Sequence, residues 1–178
     1  MKRIKLLDKE FAISIPASDI QEAIWRIADN INRNLKDKNP LMVCVLNGSF
    51  MFSADLLKLI EFPCQITFVK LASYQGVNSI GTVNELIGFN EDIKGRTVLL
   101  IEDIVDSGIT VSNCVKQLKQ MGAAEIFVST LLFKPNAFKE NLKLDYVGIE
   151  IPNDFVVGYG LDYNGYGRNL PDIYELVK

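Results

Sequence analysis

The stretch TVLLIEDIVDSGIT, at 97–110, sets three carboxylates close together: Glu102, Asp103 and Asp106. Like charges at that spacing disfavour one another's ionisation. They therefore point to a cationic or hydroxyl-rich ligand rather than to a plain turn, for which Asn or Gly would serve. Behind them, Asp106, Ser107, Gly108, Ile109 and Thr110 lead into a helical pattern. Gly108 allows close backbone approach, Ser107 and Thr110 supply hydroxyls, and the free amides of a helix start attract an anion, phosphate in particular. An ordinary N-cap accounts for the turn alone equally well. The adjacent acid pair tips the balance toward a sugar phosphate, because carboxylates accept hydrogen bonds from vicinal hydroxyls and share Mg²⁺ with a diphosphate.

The chain has no histidine. That excludes Ser-His-Asp and Cys-His nucleophile systems and most zinc sites, so any acid–base step falls to a carboxylate, Lys or Tyr. A length of 178 residues, 48% of them hydrophobic and 23% charged, is that of a single soluble globular domain with a real core. A net charge of −3 gives no general attraction to nucleic acid or to a membrane surface. No run reaches the ~18 apolar residues that span a bilayer, and Asp8, Lys9 and Glu10 interrupt the basic N-terminus, unlike a signal peptide. Cys44, Cys64 and Cys114 are odd in number, far apart and set among apolar neighbours. They are expected to be reduced core thiols of a cytoplasmic protein.

The elements that position the acids follow from hydrophobic periodicity. Ile20, Ala23, Ile24, Ile27, Ala28, Ile31 and Leu35 recur at helical spacing, with Ser18 and Gln21 as a capping box and Pro40 beyond the end. Buried strands are expected at 41–46, 64–70, 97–101 and 125–133, with shorter ones in DYVGIEI and DFVVGYGL. Helices are expected at 50–60 and 109–121, the latter closed by Gly122. The polar, Gly-containing segment 72–83 is expected to be a mobile loop. Alternating strands and helices imply an α/β fold, a parallel sheet covered on both faces. Ligands of such sheets bind at the carboxyl ends of the strands, which gathers the acids, the 46–49 and 107–110 turns, and Lys134 around one crevice.

VLLIEDIVDSGIT closely resembles the phosphoribosyl-diphosphate (PRPP) signature of the type I phosphoribosyltransferases. VLNGSFMFSADLL resembles that family's diphosphate loop, ASYQG sits where its mobile loop would be, and GIEIPNDFVVGYGLDYNGYGRNLPDIYEL resembles the C-terminal segment of its hypoxanthine/guanine branch. The resemblance implies a phosphoribosyltransferase fold over 1–178, with a small hood built from the terminal segments, and purine salvage from PRPP to hypoxanthine or guanine. It also implies roles. Glu102 and Asp103 would hold ribose hydroxyls and Mg²⁺; Asp106, Ser107, Gly108, Ile109 and Thr110 would cradle the 5′-phosphate, with Asp106 as general base. Lys134 would bond the purine 6-oxo group, Phe155 would stack on the base and the Val156 backbone would meet its edge. Asp162 would hold a second Mg²⁺, Asn47, Gly48 and Arg168 would meet the diphosphate, and Ser73 and Tyr74 would close over the site. A homo-oligomer, dimer or tetramer, is implied too, without nucleic-acid or membrane partners. Asn47 departs from the family's usual Lys in Leu-Lys-Gly, so an ion pair made by that Lys across a subunit interface is lost, while backbone amides remain for diphosphate. The Leu46–Asn47 bond would be a cis peptide in the family manner.

Taken singly, several of these residues have plainer readings. Lys134 could be a solvated strand-end charge, Phe155 a core residue, and Asp162 with Arg168 a surface pair worth little. Only the ordered set of motifs raises them above that. A phospho-acceptor receiver domain also ends a strand in paired acids, but near its N-terminus and without a Ser-Gly-x-Thr cradle. An RNA-binding regulator on the same fold is the alternative function, and would call for a basic face.

Overall fold

The structure, a computed structural model, describes residues 2–74, 83–87 and 89–177. Two sheets organise the chain. The larger has six strands in the order β5 (Val83–Ile87), β4 (Gln65–Tyr74), β3 (Leu41–Leu46), β6 (Thr97–Val105), β7 (Glu125–Phe133) and β8 (Tyr146–Glu150). All of its pairings are parallel except that of β4 with β5. The smaller is antiparallel and built from both ends of the chain, in the order β1 (Arg3–Leu6), β2 (Lys9–Ile15), β10 (Ile173–Leu176) and β9 (Val156–Val157). It is the expected hood.

The parallel strands are apolar almost throughout because both faces are covered. On one face, α1 (Ala17–Leu35) and α2 (Phe50–Leu57) pack Ile24, Ile31, Phe52 and Leu56 against Met42, Cys44, Leu99 and Ile101. On the other, α3 (Ile109–Gln120) packs Val111, Cys114, Val115 and Leu118 against Val43, Val45, Val98 and Leu100. Adjacent residues of one strand thus enter opposite cores, which a period of two requires. Phe11, Val157 and Tyr174 form a separate small core under the hood. The cysteines are free thiols, and burial pushes Cys44 and Cys114 up to about 12.

Several boundaries differ from expectation, each for a physical reason. Helix α1 begins at Ala17, and its cap is tertiary: the Ala17 amide donates to Asp172 Oδ1 at 2.9 Å. Ser18 instead bonds Asp19, and Gln21 bonds Asp55, so the expected capping box does not form. Helix α2 stops at Leu57, after which Leu59 and Ile60 tighten onto Leu56 and Leu57 through i→i+3 bonds. Strand β6 runs to Val105, so Glu102 and Asp103 lie within it, Glu102 opposite Thr130 of β7. Strand β4 runs to Tyr74. Ser73 and Tyr74 are therefore strand residues, opposite Asn84 and Val83 of β5, and the remainder of the expected loop, 75–82, lies outside the described residues. Gly122 does close α3, at φ +92°, with the Ala123 amide reaching back to Leu118 and that of Gly122 to Lys119.

Candidate active site

Strand β6 carries the acid pair into the interior. Glu102 is 6% exposed and Asp103 8%. Burial, and then the charge of Asp103, hold the Glu102 carboxyl well above the usual carboxylate range; burial raises Asp103 as well. Asp103 Oδ1 accepts the Ile104 amide at 2.9 Å. Glu102 Oε2 is buried and has no hydrogen-bond partner among the described residues. A carboxylate kept in that condition costs stability, which marks it as a group waiting for a donor or a cation.

Two glycines bring the neighbouring segments up to this pair. A Cβ on Gly48 would fall 1.4 Å from Asp103 Oδ2, and a Cβ on Gly160 would fall 2.0 Å from the Gly48 carbonyl. Asp103, the turn after β3 and the segment after β9 are thus stacked at distances only glycine permits. The Leu46–Asn47 peptide of that turn is cis. Ser49 at its end is fully buried, its hydroxyl donating to the Val45 carbonyl at 2.6 Å.

Beyond β6, residues 106–108 bend into α3. Gly108 sits at the N-cap with φ +86°, and its α-carbon faces the Phe138 ring so closely that a Cβ would approach it to 2.4 Å. The N-cap therefore has no side chain to satisfy the first-turn amides; Ile109 N–H has only a 3.5 Å contact with Ser107 Oγ. Ile109 and Thr110 are exposed. A cavity of about 280 Å³, lined by residues 102–108, Thr110 and Val111, joins this turn to the acids. With glycine at the cap, no side chain of the cap residue competes for the first-turn amides, an arrangement able to receive an anion.

Lys134 follows β7, and its amide donates to the Val105 carbonyl at 2.9 Å. Its ammonium is not solvated: the side chain is 9% exposed and donates to Asp106 Oδ2 at 3.0 Å, the Asp106 side chain being 56% exposed. Phe155 is 46% exposed rather than a core residue, propped by Phe11 and edge-on to Tyr163 at centroid distances of 6.3 and 6.1 Å. Val156, half-buried, opens β9. Arg168 is fixed by Asp162 at 2.6 Å and by the Gly160 carbonyl at 2.7 Å, and Asp162 also accepts the Gly165 amide at 2.6 Å. The positive charge of Arg168 reaches Asp103.

Of the expected metal ligands, Glu102 and Asp103 adjoin, whereas Asp162 is engaged with Arg168. Among the described residues no three potential ligands are gathered into a cage. Ser73 and Tyr74 lie in β4. Two features escape sequence reasoning. The Lys134–Asp106 pair joins positions far apart in the chain. Tyr159, buried with φ +48° between Gly158 and Gly160, donates its hydroxyl to Asp55 of α2. The GYG triplet is the one sequence signal for the latter.

Residues 16–164 match the family described as phosphoribosyl transferase domain. The hypoxanthine-guanine phosphoribosyltransferase of Streptococcus pneumoniae (strain ATCC BAA-255 / R6) is 39% identical over 167 residues, 93% of each chain. That of Mycobacterium tuberculosis (strain CDC 1551 / Oshkosh) is 39% identical over 172 residues, 93% of this chain and 85% of the other. Among solved structures, a hypoxanthine phosphoribosyltransferase from Staphylococcus aureus superposes with a TM-score of 0.85 at 34% identity, covering 93% of this chain and 91% of the other.

Proposed function

The chain belongs to the phosphoribosyltransferase family, and from that membership we propose that it works in purine salvage, transferring the 5-phosphoribosyl group of PRPP to hypoxanthine and to guanine with release of diphosphate. The whole chain serves as one catalytic unit on this reading. The observation that carries it is a single cavity in which two buried acids run into the amide-rich start of α3. An RNA-binding regulator on the same fold has no support from the relatives, which are named as enzymes.

Ribose hydroxyls donate to Glu102 and Asp103. The 5′-phosphate takes the amides of Gly108, Ile109 and Thr110 and the hydroxyls of Ser107 and Thr110. Diphosphate meets the backbone at Asn47 and Gly48 and the guanidinium of Arg168. The purine lies on Phe155 with its edge toward the Val156 backbone, and its 6-oxo group accepts from Lys134. An ammonium has three donors, so Lys134 holds Asp106 and the purine together. Asp106 takes the imidazole proton as the ring nitrogen bonds the anomeric carbon and the carbon–oxygen bond to diphosphate breaks, through an oxocarbenium-like state. The Ser73–Tyr74 end of β4 is assigned to covering the site.

Mg²⁺ fits the acid pair. Two carboxylates crowded by burial, one with an unbonded oxygen, favour a divalent cation. A hard cation held by one or two carboxylates completes its shell with substrate oxygens and water, so a protein cage of three ligands is not needed. Asp162 is the ligand proposed for a second Mg²⁺. When bound, the metal neutralises charge on the departing diphosphate. Exhaustive EDTA treatment should abolish turnover and weaken PRPP binding seen by calorimetry; undiminished turnover refutes the metal assignment.

We infer further that the protein is a homo-oligomer. Ile66 and Phe68 stand opposite Met42 and Cys44, on the α1–α2 side of the sheet, yet are 41% and 44% exposed, and Phe50 of α2 is 41% exposed. A second copy is the occupant proposed for this apolar surface. A light-scattering mass equal to that of a monomer refutes it. For the activity, hypoxanthine, PRPP and Mg²⁺ should yield nucleotide and diphosphate in equal amounts; no conversion by folded protein overturns the reading.

A further inference from the structure

Asp55 and Tyr159 lie outside the cavity, yet they join the segments of Gly48 and Gly160, which stack in turn on Asp103 of its wall. Asp55 is on α2, the helix that starts directly after the 46–49 turn. Tyr159 precedes Gly160, the residue whose α-carbon abuts the Gly48 carbonyl. The Tyr159 side chain is 3% exposed and its hydroxyl donates to Asp55 Oδ2, which also accepts from Gln21 at 3.1 Å. Lys58 pairs with the other oxygen of Asp55 at 2.6 Å. Burial, then the bond to Asp55, raise the Tyr159 phenol above its ordinary range, so it remains a donor.

The backbone around Tyr159 is held in an unusual shape. Gly158, Tyr159 and Gly160 all have positive φ, +99°, +48° and +98°. For a bulky aromatic residue such a conformation is an outlier that its surroundings must enforce. The Tyr159 amide bonds the Leu170 carbonyl at 2.8 Å and the Gly160 amide that of Arg168 at 2.9 Å. Arg168 in turn donates to the Gly160 carbonyl and pairs with Asp162. A side chain anchored at 159 therefore sets where Gly160, Asp162 and Arg168 stand relative to Gly48 and, through Gly48, relative to Asp103.

We propose that Asp55 and Tyr159 form a positioning clamp that fixes the spacing between the 46–49 turn and the 160–168 segment, and so tunes the diphosphate end of the site without touching substrate. The inference rests on the phosphoribosyltransferase reading for its kinetic arm only. Lys134 bonds Asp106 and not the clamp, and Val156 packs on the core cluster that holds the Tyr159 ring, which Tyr159→Phe leaves in place, so loss of the hydroxyl should act on one substrate and spare the other.

Tyr159→Phe removes one hydroxyl and keeps the ring packing. The expected result is a rise of about five- to tenfold in the KM for PRPP, the worth of one hydrogen bond, with the KM for hypoxanthine unchanged. Asp55→Asn, which keeps an acceptor oxygen, should stay close to wild type. Asp55→Ala should match Tyr159→Phe, and the double variant should be no worse than either. Amide hydrogen exchange supplies a readout independent of turnover: in ligand-free Tyr159→Phe, exchange at Tyr159 and Gly160 should speed up while β6 is unaffected. An unchanged PRPP KM overturns the clamp. So does a parallel rise in both KM values with a lower melting temperature, which would make the pair merely structural. Unaltered exchange at 159–160 overturns it even if the chain proves inactive on PRPP, whereas inactivity with accelerated exchange overturns only the assigned reaction.

Discussion

Replacing Lys134 by Met removes an ammonium while keeping most of its buried length. Among the described residues the charge pairs with Asp106, at 3.0 Å, and the two are unequally placed, 9% and 56% exposed. A half-exposed partner is screened, so the net attraction lost is at most ~1 kcal/mol, and the substitution also ends the desolvation of a charge. Lys134→Met should thus shift the melting temperature by no more than about 4 °C, the size of a 1 kcal/mol change for a chain of this length. Catalysis loses more. A charge-assisted hydrogen bond to the 6-oxo oxygen is worth ~1.5–3 kcal/mol. At 1.4 kcal/mol per factor of ten that is about ten- to 150-fold in kcat/KM for hypoxanthine. Adenine, whose 6-amino group cannot accept that bond, should lose nothing. The assay is kcat/KM for both bases beside a thermal melt. An unchanged kcat/KM for hypoxanthine would show that Lys134 serves only Asp106. Equal loss on both bases with a collapse of the melting temperature would show a structural role.

Asp106→Asn keeps the turn and the contact to Lys134 but cannot take a proton. Its kcat should fall ~10²–10⁴-fold, the usual worth of a general base, and the acidic limb of kcat against pH should flatten; poor PRPP binding with normal turnover at saturation would assign Asp106 to binding instead. Glu102, raised in the folded state, contributes stability that is fully present at low pH and lost as pH rises through its folded value. Glu102→Gln should therefore be more stable than wild type to urea at neutral pH, with the gap closing toward about pH 4, while PRPP binds more weakly; equal stability at neutral pH would remove the argument that the buried acid is kept for ligand. Asp172 has the opposite sign, held below the usual range by the Ala17 amide and then by Lys2 and Tyr174. Its contribution is present at neutral pH and lost as pH falls through the folded value, so Asp172→Asn should be less stable at pH 7 and lose less on acidification; a wild-type acid profile in the variant would refute the tertiary cap on α1.

The parts of the fold legible in sequence are those whose signals are local. LMVCVL and EIFVSTLLF coincide with β3 and β7, because a strand covered on both faces is largely apolar. Gly108 and Gly122 bracket α3 because each has the positive φ that glycine tolerates. The hood is not legible strand by strand: Phe11 pairs with Leu176, and nothing within β2 announces a partner so distant in the chain. β5 is obscured by Asn84 and Glu85, tolerable on an edge strand paired only with β4. At the site, the buried acid pair and the glycine turn before α3 announce themselves because adjacent carboxylates and Gly108 violate local economy. The burial of Lys134 does not, since a strand-end lysine is ordinarily solvated and only its tertiary contacts, the amide to the Val105 carbonyl and the ammonium to Asp106, say otherwise.

The central claim is tested most directly by measuring PRPP- and Mg²⁺-dependent nucleotide formation from hypoxanthine, guanine, xanthine and adenine in parallel. The account predicts turnover of hypoxanthine and guanine that stops without PRPP or metal, with adenine far behind. Turnover of adenine at the same kcat/KM, or none of any purine by protein that still binds PRPP, would contradict it.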